Sequence, residues 1–222
     1  MEISLTEENY IKAIFSINRA NDGEGASTNQ LSAHLQNKAA SVTDMLKRLS
    51  AKKLIHYEKY KNVFLTPRGE KMALAVIRKH RLWEVFLTEK LQFRWDEVHD
   101  IAEQLEHVKS EELIKRLDLF LGCPKFDPHG DPIPDAKGVF NSTKAKPLSR
   151  FKQKGAYVFM GVLEHSPAFL QHLSALGLKL GDTLVVEDII AFDNSVKVKI
   201  NKRAVHFLSE KVSAGILVDH QK

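Results

Sequence analysis

Apolar positions along the first 65 residues recur at helical spacing and then shorten to strand spacing. Tyr10, Ile11, Ile14, Phe15 and Ile17 form one stripe, with Thr6 placed to act as N-cap. The run Asn21-Asp22-Gly23-Glu24-Gly25 breaks that helix. Ser27 or Thr28 opens a short second helix through Leu31 and Leu35. After the turn Gln36-Asn37-Lys38-Ala39, a third helix is expected over residues 40–52, with Val42, Met45, Leu46 and Leu49 turned inward. Residues 55–65 suit two short strands joined by a basic tip. Helix, turn, helix and two-stranded wing predict a winged helix-turn-helix.

The pattern then stays helical. Thr66-Pro67 supplies an N-cap and an N1 proline for a helix reaching about residue 90. Asp96 is expected to cap a helix over 96–108, and another follows over about 110–121. Such an all-helical stretch can provide a dimer interface as well as a site. Pro124, Pro128, Pro132, Pro134 and Pro147 punctuate 123–148, which reads as loop. Beyond Gly155 come strands over 156–163, 183–188, 195–200 and 215–218, interrupted by a short helix over 167–176. These predict a small β-barrel. The expected class is α+β: a winged helix-turn-helix over residues 1–72, a helical domain over 73–140, a linker over 141–154 and the barrel over 155–222.

Composition narrows the function. The chain has 222 residues, 43% hydrophobic and 27% charged, as in ordinary globular proteins. No apolar run approaches the roughly 18 residues that cross a bilayer. Met1-Glu2-Ile3-Ser4 lacks a basic region followed by an apolar core, so no secretory signal is expected. Cys123 stands alone, which fits a reducing cytoplasm. Net charge is +5, and it is concentrated. Residues 38–68 carry Lys38, Lys47, Arg48, Lys52, Lys53, Lys59, Lys61 and Arg68 against Asp44 and Glu58, a local net of +6. Such a patch suits a polyanion such as double-stranded DNA. The third helix would present Ala40, Ser41, Thr43, Asp44 and Lys47, whose small and hydroxyl side chains allow close approach to bases and phosphates. Lys59 and Lys61 on the wing would contact the backbone. A basic protein-interaction module shows the same charge pattern.

The chemistry-bearing segment is His99-Asp100-Ile101-Ala102-Glu103-Gln104-Leu105-Glu106-His107. On a continuous helix, His99, Glu103, Glu106 and His107 fall within an arc of roughly 100°. Imidazoles and carboxylates without thiolate suit Mn(II), Fe(II) or Zn(II). His80 and Glu84 repeat the i, i+4 spacing one helix earlier. The solvated face of an amphipathic helix, opposite the stripe Val98, Ile101, Leu105 and Val108, has the same pattern. There is no His-Glu-x-x-His motif, nucleotide-binding glycine loop or nucleophile motif, so an enzyme is not expected.

Several segments, in order, resemble the DtxR/MntR family of metal-dependent transcriptional repressors in its three-domain form. They are Leu65-Thr66-Pro67-Arg68-Gly69, Arg78-Lys79-His80-Arg81-Leu82-Trp83-Glu84, Val98-His99-Asp100 through Glu103-x-x-Glu106-His107-Val108, Gly130-Asp131-Pro132-Ile133-Pro134, and Leu176-Gly177-Leu178-Lys179-Leu180-Gly181-Asp182. The resemblance implies a homodimer that binds a palindromic operator when a divalent metal acts as corepressor, and a C-terminal barrel of the SH3-like, FeoA type. It implies a regulatory site at Glu103, Glu106 and His107, and a second at His80, Glu84 and His99. His165 is a candidate ligand from the third domain. Glu103 stands where iron-responsive members have cysteine and manganese-responsive members have glutamate, which favours Mn(II) first and Fe(II) second. Asn9 stands at the family's ligand position on the first helix, and Lys12 at a position that is glutamate in some manganese sensors, which argues against a two-metal cluster of their type. No membrane partner and no small organic substrate are expected. Alternatives are a DNA-binding regulator with purely structural metal sites and a metal-dependent hydrolase fused to a winged helix.

Overall fold

Ser4, not Thr6, caps the first helix. The Ser4 hydroxyl accepts the Glu7 amide at 3.3 Å, while the Glu7 carboxylate accepts the Ser4 amide at 2.7 Å. This reciprocal box satisfies two otherwise orphaned N–H groups, and it sets the start of α1 (Leu5–Ala20). Ser27 and Gln30 form a second such box for α2 (Thr28–His34). Helix α3 follows (Ala39–Ala51), then the wing strands β1 (Ile55–His56) and β2 (Phe64–Leu65), paired antiparallel with Ile55 opposite Leu65. Ala26 bridges to Val63 beside them. Thr66 caps α4 (Pro67–Glu89) by accepting the Gly69 amide. A Cβ on Gly69 would lie 2.0 Å from the Leu54 carbonyl oxygen, so only glycine lets this turn close on the wing backbone.

The computed structural model describes residues 3–140, 144–201 and 203–220. Met1 and Glu2 of the N-terminal reading, and residues 141–143 of the expected linker, lie outside the described residues. The chain divides into two units: residues 1–80 with 103–111 and 134–139, and residues 81–102 with 112–133 and 140–222. The first is built on Ile11, Ile14, Leu31, Val42, Leu46, Leu49, Leu54 and Val63, all fully buried. Across this core, Lys52 at the end of α3 donates to the buried Glu7 carboxylate at 2.8 Å.

In the second unit, Leu82 and Val85 of α4 pack with Ile133 and with Ile114 and Leu117 of α6 (Glu111–Phe120). Helix α5 covers only His99–Leu105. Asp96 does not cap it. Its side chain, 1% exposed, is held by Arg94 and Gln171 instead. The sheet comprises β3 (Lys146–Pro147), β4 (Gly155–Val162), β5 (Thr183–Ile189), β6 (Val196–Ile200), β7 (Val205–Leu208) and β8 (Ile216–His220). Its order is β3-β8-β4-β5-β6-β7, antiparallel throughout. Helices α7 (Pro167–Ala175) and α8 (Glu210–Gly215) accompany it around a core of Tyr157, Phe159, Leu173, Val198, Ile216 and Val218. No helix among the described residues is long and apolar enough to cross a membrane.

Burial alone would raise the Glu7 carboxyl, but Lys52 and the Ser4 amide hold it below the ordinary range. A carboxyl lowered on folding stabilises the fold above its unfolded pKa, and that contribution is lost as pH falls through the folded value. Glu7→Gln is therefore expected to cost about 1–3 kcal/mol near neutrality. Wild type should approach the variant as pH falls below the ordinary carboxyl range and through the lowered Glu7 value, measured by chemical denaturation across pH.

Candidate metal centre

Glu106 is 0% exposed, although it belongs to the face that periodicity assigns to solvent. The reason is that α5 ends at Leu105, so Glu106 and His107 occupy the following turn and leave the helical arc of His99 and Glu103. Within the first unit, Glu106 meets His80 Nδ1 at 2.6 Å and Lys12 Nζ at 2.7 and 2.8 Å. Lys12 also donates to Glu103, which lies 4.0 Å from His80 Nδ1. His107 Nδ1 donates to Glu8 at 2.5 Å, which leaves Nε2 facing Glu106 Oε1 at 3.9 Å. A carboxylate that fixes the far nitrogen of a histidine is the usual outer support of a metal-binding imidazole. Helix α1 thus brings Glu8 and Lys12, α4 brings His80, and α5 with its turn brings Glu103, Glu106 and His107.

Burial by itself raises a carboxyl, yet the His80 hydrogen bond and the Lys12 charge hold Glu106 below the ordinary range. Burial lowers Lys79 below the usual lysine range, against the attraction of Glu8 and Glu106. Asn9 Oδ1 is buried and has no hydrogen-bond partner among the described residues. This oxygen lies on α1, three residues from Lys12, and is of a type that can ligate a cation. With the oxygen and nitrogen donors around Glu106, this set fits a divalent metal.

The second unit holds another cluster. Ligand atoms of Glu84, Asp127 and His129 lie within 4.8 Å of one another, and all three residues are buried. His129 Nε2 donates to the Trp95 carbonyl at 2.8 Å, leaving Nδ1 toward Glu84 at 3.7 Å. His99 Nδ1 also lies 3.7 Å from Glu84. Burial, with Glu84 and Asp131 nearby, pushes the Asp127 carboxyl up to about 7. Against burial, Glu84 and Asp127 draw His129 up to about 9. A raised carboxyl beside other carboxylates marks a place where added positive charge is stabilising. Arg81 contributes part of that charge, at 3.5 Å from Asp127 and 3.1 Å from Asp131.

The expected His80, Glu84 and His99 set contacts further acids. His80 is engaged with Glu106 in the first unit, whereas Glu84 and His99 meet in the second. His165 lies against Asp131 at 3.5 Å and packs edge-on to the His129 ring. Sequence reading missed Glu8, Asp127 and His129. Its available signal was the acid–imidazole alternation Asp127-Pro128-His129-Gly130-Asp131 inside the proline-rich stretch.

The residues expected to face DNA form an exposed surface. Ala40, Ser41, Asp44 and Lys47 are exposed on α3, and Thr43 is partly covered, donating its hydroxyl to the Ala39 carbonyl. Lys47 pairs with Asp44 at 3.3 Å. On the wing, Lys59 sits over the Tyr60 ring, and Lys61 pairs with Glu58.

Residues 2–63 match the model of the iron dependent repressor N-terminal DNA binding domain. Residues 66–135 match the iron dependent repressor metal binding and dimerisation domain, and residues 146–220 the FeoA domain. The iron-dependent repressor IdeR of Mycobacterium leprae is 33% identical over 129 residues, 58% of this chain and 55% of that protein. The diphtheria toxin repressor of Corynebacterium diphtheriae is 33% identical over 147 residues, 65% of this chain and 64% of that protein. The match thus spans 55% of the length of the M. leprae relative. A solved manganese-dependent transcriptional repressor in complex with manganese superposes with a TM-score of 0.85 at 31% identity, covering 97% of this chain and 100% of that one. ScaR with bound Cd2+ gives 0.78 at 30% identity, covering 97% and 99%. The chain belongs to the DtxR/MntR family of metal-dependent transcriptional repressors.

Gly130 has φ +87°, and a Cβ there would lie 2.2 Å from the Met160 carbonyl oxygen. Gly130→Ala is expected to displace the turn that holds Asp127 and His129. A drop in melting temperature with loss of divalent-metal stabilisation, read by differential scanning fluorimetry with and without Mn(II), is the expected result.

Proposed function

We propose that this chain is a cytoplasmic, homodimeric repressor whose binding to a palindromic operator requires a divalent metal, Mn(II) first and Fe(II) second. The observation carrying this reading is the buried Glu106 carboxylate, with His80, Glu103 and His107 gathered around it. The donors proposed for the regulatory site are Glu103, Glu106, His107 and His80, with Asn9 from α1. Glu84, Asp127 and His129, adjoined by His99 and His165, are proposed as a second site. The all-oxygen-and-nitrogen donor set favours Mn(II) over thiolate-preferring ions. We keep the organisation of residues 1–72 for DNA, 73–140 for metal and dimerisation, and 155–222 for the SH3-like domain as part of this proposal.

When bound, the metal supplies two positive charges that join the carboxylates and imidazoles. Glu8 orients His107 through Nδ1, and the Trp95 carbonyl orients His129 through Nε2. Because Glu8 and Asn9 belong to α1, ordering the cluster also orders the first helix of the DNA-binding region. Only a difference in metal affinity between the DNA-competent and other arrangements shifts the population. Ala40, Ser41, Thr43, Asp44 and Lys47 are proposed to face the bases, and Lys59 and Lys61 the phosphates.

Operator binding in the presence of Mn(II), measured by fluorescence anisotropy at fixed salt, should be lost on chelation. Glu106→Ala and His107→Ala should abolish the metal response while leaving the dimer intact by sedimentation. Equal DNA affinity with and without metal would refute the switch. Chelation that lowers only thermal stability would favour purely structural sites. Lys59→Ala with Lys61→Ala should weaken specific and non-specific DNA alike, and lower the slope of log K against log salt by about 1 per lost phosphate contact.

A further inference from the structure

We propose that Lys12 is a built-in counter-ion for the regulatory cluster, and that a divalent metal must displace its ammonium to bind there. This rests on the metal reading of Glu103 and Glu106. Lys12 Nζ contacts both oxygens of Glu106, at 2.7 and 2.8 Å, and also donates to Glu103. Its side chain is 18% exposed and that of Glu106 is 0% exposed. Three donors on one ammonium meet three carboxylate oxygens, which fills its hydrogen-bonding capacity. The ammonium therefore occupies the point where the two carboxylates converge, as a cation bound by both would.

Two consequences follow from one geometry. The fully buried Glu106 has a counter-charge without metal, so the cluster does not fly apart by carboxylate repulsion. The same contact ties α1 to the turn after α5 and taxes metal binding. Apparent affinity falls by the fraction of molecules in which the site is open. An ammonium seated in about nine-tenths of metal-free molecules weakens metal binding about tenfold. Lys79, whose amine also feels Glu8 and Glu106, remains in place in any Lys12 variant and offsets part of the effect.

The test compares wild type, Lys12→Met and Lys12→Arg by isothermal titration with Mn(II) and by metal-free thermal unfolding. It is run in the full chain and in a His129→Ala background that removes the second cluster. Lys12→Met should bind Mn(II) more tightly, by up to about tenfold, and melt at lower temperature without metal. Lys12→Arg, which keeps a cation, should stay near wild type in both. Mn(II) affinity unchanged or weakened in Lys12→Met, with wild type binding normally, overturns the counter-ion role alone. A metal-free melting temperature that is unchanged or raised does the same. Mn(II) bound by none of the proteins overturns the metal reading and this proposal with it.

Discussion

A carboxylate that sees no water must find its positive partners inside the protein. Glu106 finds them in His80 and Lys12. Desolvating such an ion costs several kcal/mol even after relaxation, so the partners have to be held in place by rigid elements. Helices α1 and α4 provide that, each anchored by its own capping chemistry at Ser4 and Thr66. The early end of α5 is part of the same solution. It places Glu106 and His107 in the turn that follows rather than on the helical arc of His99 and Glu103.

The second unit handles charge differently. Glu84, Asp127 and Asp131 crowd around the Arg81 guanidinium and His129, and burial together with the neighbouring carboxylates pushes the Asp127 carboxyl up to about 7. The turn from Asp127 to Asp131 is closed by its own backbone bonds and seated on β4 through Gly130. Packing rather than helix periodicity brings these groups together. His80 and Glu84 stand one turn apart on α4, with His80 against Glu106 and Glu84 beside His129.

Much of the fold was legible locally. Periodicity located α1 to α4 and α6, the wing, and four of the six strands of the sheet, because each buries a regular stripe. The misses have physical causes. Thr6 lost the cap to Ser4 because a reciprocal box satisfies two amides. Strand β3 is two residues with a proline, and β7 is an edge strand with only Leu208 fully inward, so neither shows alternation. Asp96 stands where spacing predicts a cap, but Arg94 and Gln171 hold its carboxylate instead.

Sequence by itself determined the three-part order of elements, the basic reading helix, and a donor set of carboxylates and imidazoles without thiolate. Those follow from residue identity and short-range spacing, which a linear pattern carries. Tertiary structure alone decided which donors meet. Glu8 orients His107 across 99 residues, Lys12 reaches Glu106 across 94, and Asp127 and His129 join Glu84 from a proline-rich turn that looks like a linker. Contacts of that range depend on where helices end and how turns pack, and no local periodicity encodes them.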